Sequence, residues 1–273
     1  MTARVALTIA GSDPSGGAGI QADLKTFSAL GAYGTAVLTA LTAQSTRGVR
    51  GVHAVPREFL RDQLDVLLDD VGVHATKIGM LGSAALAAEV ADVLRRRDGG
   101  TVVLDPVMVA TSGDRLLDDD AVGVLTGELL PLVDLVTPNA PEAAVLLGRQ
   151  AATDVDGLVA QAEELRSRGA RAVLLKGGHL GGGESVDVLT DATGTRLLAR
   201  ERLDTPHTHG TGCTLSAALA ALAAVRGAPR GGDWSEVAEA ARDYLHAALL
   251  AGRDLGVGGG SGPVHHFPGW WPA

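Results

Sequence analysis

The sequence predicts an α/β fold, a mostly parallel sheet with helices on both faces and a small antiparallel hairpin at one edge. Three observations carry that expectation. Short, wholly apolar runs recur along the chain, as strands buried on both faces require, and longer runs of helical period separate them. Two further apolar runs, 185–189 and 196–203, flank the turn sequence Asp191-Ala192-Thr193-Gly194 and suggest an antiparallel pair appended at the sheet edge.

In chain order, residues 5–10, 36–41, 75–78, 102–104, 132–136 and 172–175 read as the buried strands. Residues 20–30, 57–68, 84–96, 142–147, 158–168, 214–225 and 235–250 read as helices, several with a polar cap before them or a glycine just beyond. The alternation of the two kinds of run predicts parallel crossovers. No Pro/Ser-rich or highly charged linker interrupts the 273 residues, so a single domain, 1–273, is expected. The Gly-rich stretches at 181–183 and 256–262 read as loops.

Composition narrows the function classes. Apolar residues make up 46% of the chain, which excludes global disorder, and the longest apolar stretch, 215–225, is too short and interrupted to cross a bilayer. Met1-Thr2-Ala3-Arg4 leads straight into a short strand-like run, and a cytoplasmic location is expected. One cysteine allows no internal disulfide and no cysteine-rich metal site. A net charge of −9 with both signs interspersed argues against nucleic acid and for a small-molecule partner. Only three lysines, Lys25, Lys77 and Lys176, are available for a nucleotide contact.

In an open α/β sheet, ligands lie beyond the carboxyl ends of the strands. The run His209-Gly210-Thr211-Gly212-Cys213-Thr214 has the form of an anion site opening a helix: unpaired first-turn amides, glycines that permit close approach, and a favourable dipole. Its competing reading is a Gly-rich turn with Cys213 as a small core residue. Asp105 before Pro106 suits either a turn or a Mg²⁺ ligand, and Asn139 with Glu142 suits either a helix start or a second oxygen-rich spot. Lys176 ends an apolar strand and expects an anion partner, with Lys77 as its competitor. Gly17-Ala18-Gly19 with Ala22 matches a dinucleotide fingerprint only weakly, because a Pro-containing insert precedes it and the next strand runs out at Gln44 instead of an acid. His265 and His266 read as an exposed tail, and 110–114 as a flap over the site.

Together, the glycine turn, Asn139-Ala140-Pro141-Glu142 and Lys176-Gly177-Gly178-His179 resemble the ribokinase superfamily. The opening Gly11-Ser12-Asp13-Pro14-Ser15-Gly16-Gly17-Ala18-Gly19 through Asp23, Thr42-Ala43-Gln44-Ser45, Asp105-Pro106-Val107-Met108 and His209–Thr214 resemble its hydroxymethylpyrimidine and phosphomethylpyrimidine kinases of thiamine biosynthesis. The resemblance implies phosphorylation by ATP of 4-amino-5-hydroxymethyl-2-methylpyrimidine and then of its monophosphate, and it suggests a homodimer. It implies that the amides of Gly210, Thr211, Gly212 and Cys213 hold the transferring phosphoryl group and that Asp105 and Glu142 hold Mg²⁺. Lys176, Asn139 and Thr211 then meet the nucleotide, while Gln44, Asp23, Gly11, Met80 and Val107 form the pyrimidine pocket. Cys213 stands where the sugar kinases carry an aspartate base, so a weaker or modestly activated base is expected. Pyridoxal kinase, an ATP-dependent nicotinamide-hydrate dehydratase of the same fold and a non-catalytic pyrimidine sensor are the alternatives.

Overall fold

A computed structural model describes residues 2–108, 119–227 and 232–271. Its main sheet has eight strands: β1 (Val5–Ala10), β2 (Tyr33–Leu38), β5 (Ala75–Ile78), β6 (Thr101–Leu104), β7 (Leu135–Val136), β8 (Val173–Leu175), β9 (Glu184–Asp191) and β10 (Gly194–Glu201). They lie in the order β10-β9-β8-β7-β6-β5-β1-β2. All neighbours from β8 to β2 pair in parallel, and β9 and β10 add antiparallel at the edge as expected.

Helices cover both faces. Leu60 and Leu64 of α2 (Arg57–Asp70), Leu86 and Val90 of α3 (Ala84–Arg96) and Leu158 of α6 (Val155–Ser167) fill one core. On the other face, Phe27 of α1 (Gly19–Ala29), the alanines of α7 (Thr211–Arg226) and Ala238 of α8 (Ser235–Gly252) pack on Ala6, Val103, Leu135 and Leu174. α7 is buried from Thr214 to Ala224 and packs between α1, α8 and strands β1, β5 and β6. Its small side chains let it lie close to the sheet, which brings its first turn over the strand ends.

Two predicted strands differ in the structure. The run 36–41 spans two strands, because Thr39 turns inward: its amide donates to Ala10 O at 3.0 Å and its hydroxyl to Met80 O at 2.7 Å. After that turn, β3 (Ala40–Ser45) pairs antiparallel with β4 (Gly48–Ala54) in a separate two-stranded sheet. β4 is largely exposed and shows no buried period, so its sequence carries no strand signal. The run 132–136 keeps only β7: a 3-10 turn around Pro131 occupies Leu130–Leu132, and Asp134 caps neighbouring backbone through Val102 N at 2.9 Å. A short helix, α4 (Asp119–Val124), was not expected, whereas α5 (Ala140–Leu147) starts two residues before the predicted run. No helix among the described residues is long and apolar enough to cross a membrane.

Candidate active site

The start of α7 is set by glycine. Gly210 has φ +78°, and a Cβ there would lie 1.8 Å from the carbonyl oxygen of Gly17. A Cβ on Gly17 would meet the His209 ring at 2.4 Å. The loop before α1 and the turn before α7 therefore touch backbone to backbone, which only glycine allows. No acceptor among the described residues takes the amides of Gly212 and Cys213. The expected four-amide cradle is smaller, because Thr211 N donates to Thr208 O at 3.3 Å.

The charged residues converge on this turn. A Cβ on Gly212 would stand 3.3 Å from Lys176 Nζ and 3.5 Å from Asp105 Oδ2. Asp105 is buried; its Oδ1 accepts from Lys176 Nζ at 2.9 Å and Thr137 Oγ1 at 3.2 Å, and its Oδ2 from Ser216 Oγ at 3.3 Å. Glu142 Oε2 lies 3.8 Å from the same ammonium. Burial lowers the pKa of Lys176, but Asp105 and Glu142 outweigh it and hold the ammonium above its ordinary range. Burial pushes the Glu142 carboxyl up to about 7; Lys176 opposes the rise and Asp105 adds to it.

Asn139 and Glu142 start a helix, one of their two expected roles. They form a capping box on α5, with Glu142 N donating to Asn139 Oδ1 at 2.9 Å and Asn139 N to Glu142 Oε2 at 2.7 Å. The box fixes the carboxylate beside Lys176 and occupies the Asn139 side-chain carbonyl. Lys176 N in turn donates to Pro138 O at 2.8 Å, which ties the end of β8 to this helix start.

Asp23 and Lys77, expected at the substrate and as a candidate for the nucleotide, are paired with each other. Both are fully buried and paired, with Lys77 Nζ 2.8 and 3.0 Å from the two Asp23 oxygens and Thr8 Oγ1 donating to Asp23 at 2.6 Å. Of the Asp23 oxygens, Oδ1 takes Lys77 alone and Oδ2 takes both Lys77 and Thr8. Burial lowers the pKa of Lys77, but Asp23, with Cys213 and Asp105 nearby, outweighs it and holds the ammonium above its ordinary range.

Of the two expectations for Cys213, a weaker base or a modestly activated one, its surroundings favour the weaker base. Burial pushes it up to about 11, Lys77 and the Gly19 N–H oppose the rise, and the Asp23 and Asp105 carboxylates add to it. The helix start does not prevail, because desolvation and two carboxylates outweigh it.

Of the residues expected to form the pyrimidine pocket, Gly11 and Met80 lie against each other. A Cβ on Gly11 would stand 2.4 Å from Met80 Cε, and Val107 N donates to Asp105 O at 2.8 Å. Gln44 is half-buried on β3, at a register irregularity between Ala43 and Gln44 of the kind that re-aims a side chain. Its Oε1 lies 3.3 Å from Thr42 Oγ1, which itself lies 2.9 Å from Ser12 O.

His265 and His266 are not an exposed tail. They are 1% and 4% exposed, and His266 Nε2 lies 3.2 Å from Thr214 Oγ1 in the first turn of α7. The chain end folds back because His265 N donates to Ala248 O at 2.9 Å and Tyr244 OH to His266 O at 2.7 Å. Asp13, which the glycines around it could have singled out, is buried, 2.8 Å from His209 Nε2 and beside the Gly210 turn. The expected flap at 110–114 lies outside the described residues.

The family model for phosphomethylpyrimidine kinase matches residues 13–265. The chain belongs to that family. It is 53% identical over 271 residues to the hydroxymethylpyrimidine/phosphomethylpyrimidine kinase of Rhizobium meliloti strain 1021, covering 99% of each chain. Among solved structures it is similar to an ADP complex of Bacillus subtilis pyridoxal kinase, with 36% identity, a TM-score of 0.87 and coverage of 97% and 98%. It is also similar to the phosphomethylpyrimidine kinase of Clostridium difficile 630, with 38% identity, a TM-score of 0.77 and coverage of 89% and 98%.

Proposed function

We propose that this chain transfers the terminal phosphoryl group of ATP to the hydroxymethyl oxygen of 4-amino-5-hydroxymethyl-2-methylpyrimidine, and then to the phosphate of that product, in thiamine biosynthesis. The observation that carries the mechanism is the convergence of the Gly212 turn, Lys176 and Asp105 at the ends of β6 and β8. Phosphoryl transfer is mostly positioning and charge neutralisation, and this cluster supplies backbone donors and a fixed ammonium. The acceptor oxygen bonds to the terminal phosphorus, the bond to the bridging oxygen breaks, and ADP carries away the electron pair.

Asp105 and Glu142, with the Thr137 and Ser216 hydroxyls beside Asp105, form an all-oxygen set that fits Mg²⁺. Asp105 and Glu142 would supply only part of the shell of such an ion, leaving the rest to phosphate oxygens and water. Asp105 and Glu142 would hold Mg²⁺ there, where it would supply positive charge against the phosphates. Lys176 meets the nucleotide phosphates, and Asn139, held at the start of α5, adds a further nucleotide contact.

Gln44 reads the aminopyrimidine edge, since its amide offers a donor and an acceptor side by side. Gly11, Met80 and Val107 shape the apolar wall around the ring. In the first transfer Cys213 takes the hydroxyl proton as its scarce thiolate. The second acceptor is an already ionised phosphate oxygen and needs no base. Coupled detection of ADP with the alcohol and the monophosphate as separate acceptors tests both transfers; no ADP with either acceptor refutes the reading.

Pyridoxal is a second acceptor reading, favoured by the likeness to the Bacillus subtilis enzyme. A larger kcat/KM for pyridoxal than for the pyrimidine alcohol would select it. A cytoplasmic homodimer completes the proposal, and sedimentation at micromolar protein measures the assembly: a monomer refutes it.

A further inference from the structure

The Gly11–Gly19 loop and the Gly210 turn belong to distant parts of the chain, yet three ties hold them together. Asp13, 1% exposed, points one carboxylate oxygen at Gly17 N (3.1 Å), Ala18 N (2.8 Å) and His209 Nε2 (2.8 Å). Its other oxygen takes Ser15 N at 2.9 Å and Ser15 Oγ at 2.7 Å. The second tie is the backbone contact of Gly17 with Gly210, and the third is the Gly19 N–H directed at the Cys213 thiol.

His209, 7% exposed, immediately precedes Gly210, and its own amide donates to Gly262 O at 3.1 Å. The amides of Ser15, Gly17 and Ala18 donate to Asp13, which an ionised carboxylate satisfies, and the His209 tautomer protonated on Nε2 completes the set. We propose that Asp13 and His209 are a positioning pair, which locks the phosphate-facing turn of α7 onto the loop beside the acceptor. The pair sets the rate of phosphoryl transfer and leaves the binding of ATP and pyrimidine largely unchanged. Neither side chain is placed against reacting atoms. This inference rests on the reading of the Gly212 turn as the phosphoryl site.

The experiment measures kcat and KM for both acceptors in His209→Ala, His209→Gln, Asp13→Ala and the double alanine variant. A misplacement of about 1 Å costs on the order of 100-fold in rate, so His209→Ala is expected to lose about that much kcat in both transfers alike. KM should stay within about threefold, because no binding contact is removed. His209→Gln, whose terminal amide can still donate to Asp13, should recover about tenfold or more, and the double variant should be no worse than the worse single one.

The proposal is overturned if His209→Ala keeps kcat, if the loss lies in KM, if Gln rescues nothing in a folded protein, or if the two single losses add. Gly212→Ala separates this from the underlying reading. Full kcat in Gly212→Ala removes the phosphoryl site itself, whereas a damaged Gly212→Ala beside an unaffected His209→Ala removes only the pair.

Discussion

The pKa of Cys213 makes the two transfers respond differently to pH. Burial places the thiol near 11, so at pH 7 about one molecule in 10⁴ carries the thiolate, and at pH 9 about one in 10². A base must be deprotonated to accept the hydroxyl proton, hence its supply grows tenfold per pH unit throughout this range. The kcat for the alcohol should rise about 100-fold from pH 7 to pH 9, without a plateau. The monophosphate acceptor, with a second pKa of about 6, is already ionised at pH 7 and should give a flat profile. Cys213→Ser should flatten the alcohol profile and leave the monophosphate profile as it was. Single-turnover quench measurements with each acceptor read both directly. A flat alcohol profile in the unsubstituted enzyme, an inflection at or below pH 8.5, or a slope that survives in Cys213→Ser refutes the reasoning.

Other consequences follow from the same geometry. Lys176→Met removes the cation shared by Asp105 and Glu142 and should lower kcat by about 10²–10³-fold, the scale of losing one transition-state donor; stopped assays at saturating ATP check it. Because Glu142 titrates near 7 and metal binding requires the carboxylate, apparent Mg²⁺ affinity should fall as pH drops from 7 to 6, by up to about tenfold. Mg²⁺ titrations at the two pH values should show that dependence lost in Glu142→Gln. His266 is buried neutral, its pKa pushed down to about 3, so below pH 6.5 only the unfolded chain takes up its proton. Stability should fall by about 2 kcal/mol between pH 6.5 and 5 from this group, and urea unfolding should show a smaller fall in His266→Gln. Asp23→Asn strands the buried Lys77 charge and should cost about 3–5 kcal/mol of unfolding free energy in denaturant titrations.

The buried strands and the helices were legible because their hydrophobic period is local. The strand runs at 5–10 and 75–78 coincide with β1 and β5, and the helix run 84–96 with α3. β4 was not legible, since an exposed pair in its own small sheet needs no buried face. Asp105, Glu142, Lys176 and the Gly210–Cys213 turn were legible as candidates because each follows a strand or opens a helix. Their mutual contact was not, since Asp105 and Lys176 meet across 71 residues of sequence.

What the sequence determined by itself is the order of the elements, the glycine turn and the placing of polar residues at strand ends, all dictated by short-range patterns of burial and backbone freedom. Tertiary structure alone decided which charges are neutralised and by whom. Asp23 faces Lys77 instead of solvent, the chain end covers Thr214, and the Cys213 thiol is held above its ordinary pKa. The physical reason is that desolvation and Coulomb energy depend on distances between residues far apart in the chain, and packing fixes those distances only when α1 and α7 close on the sheet.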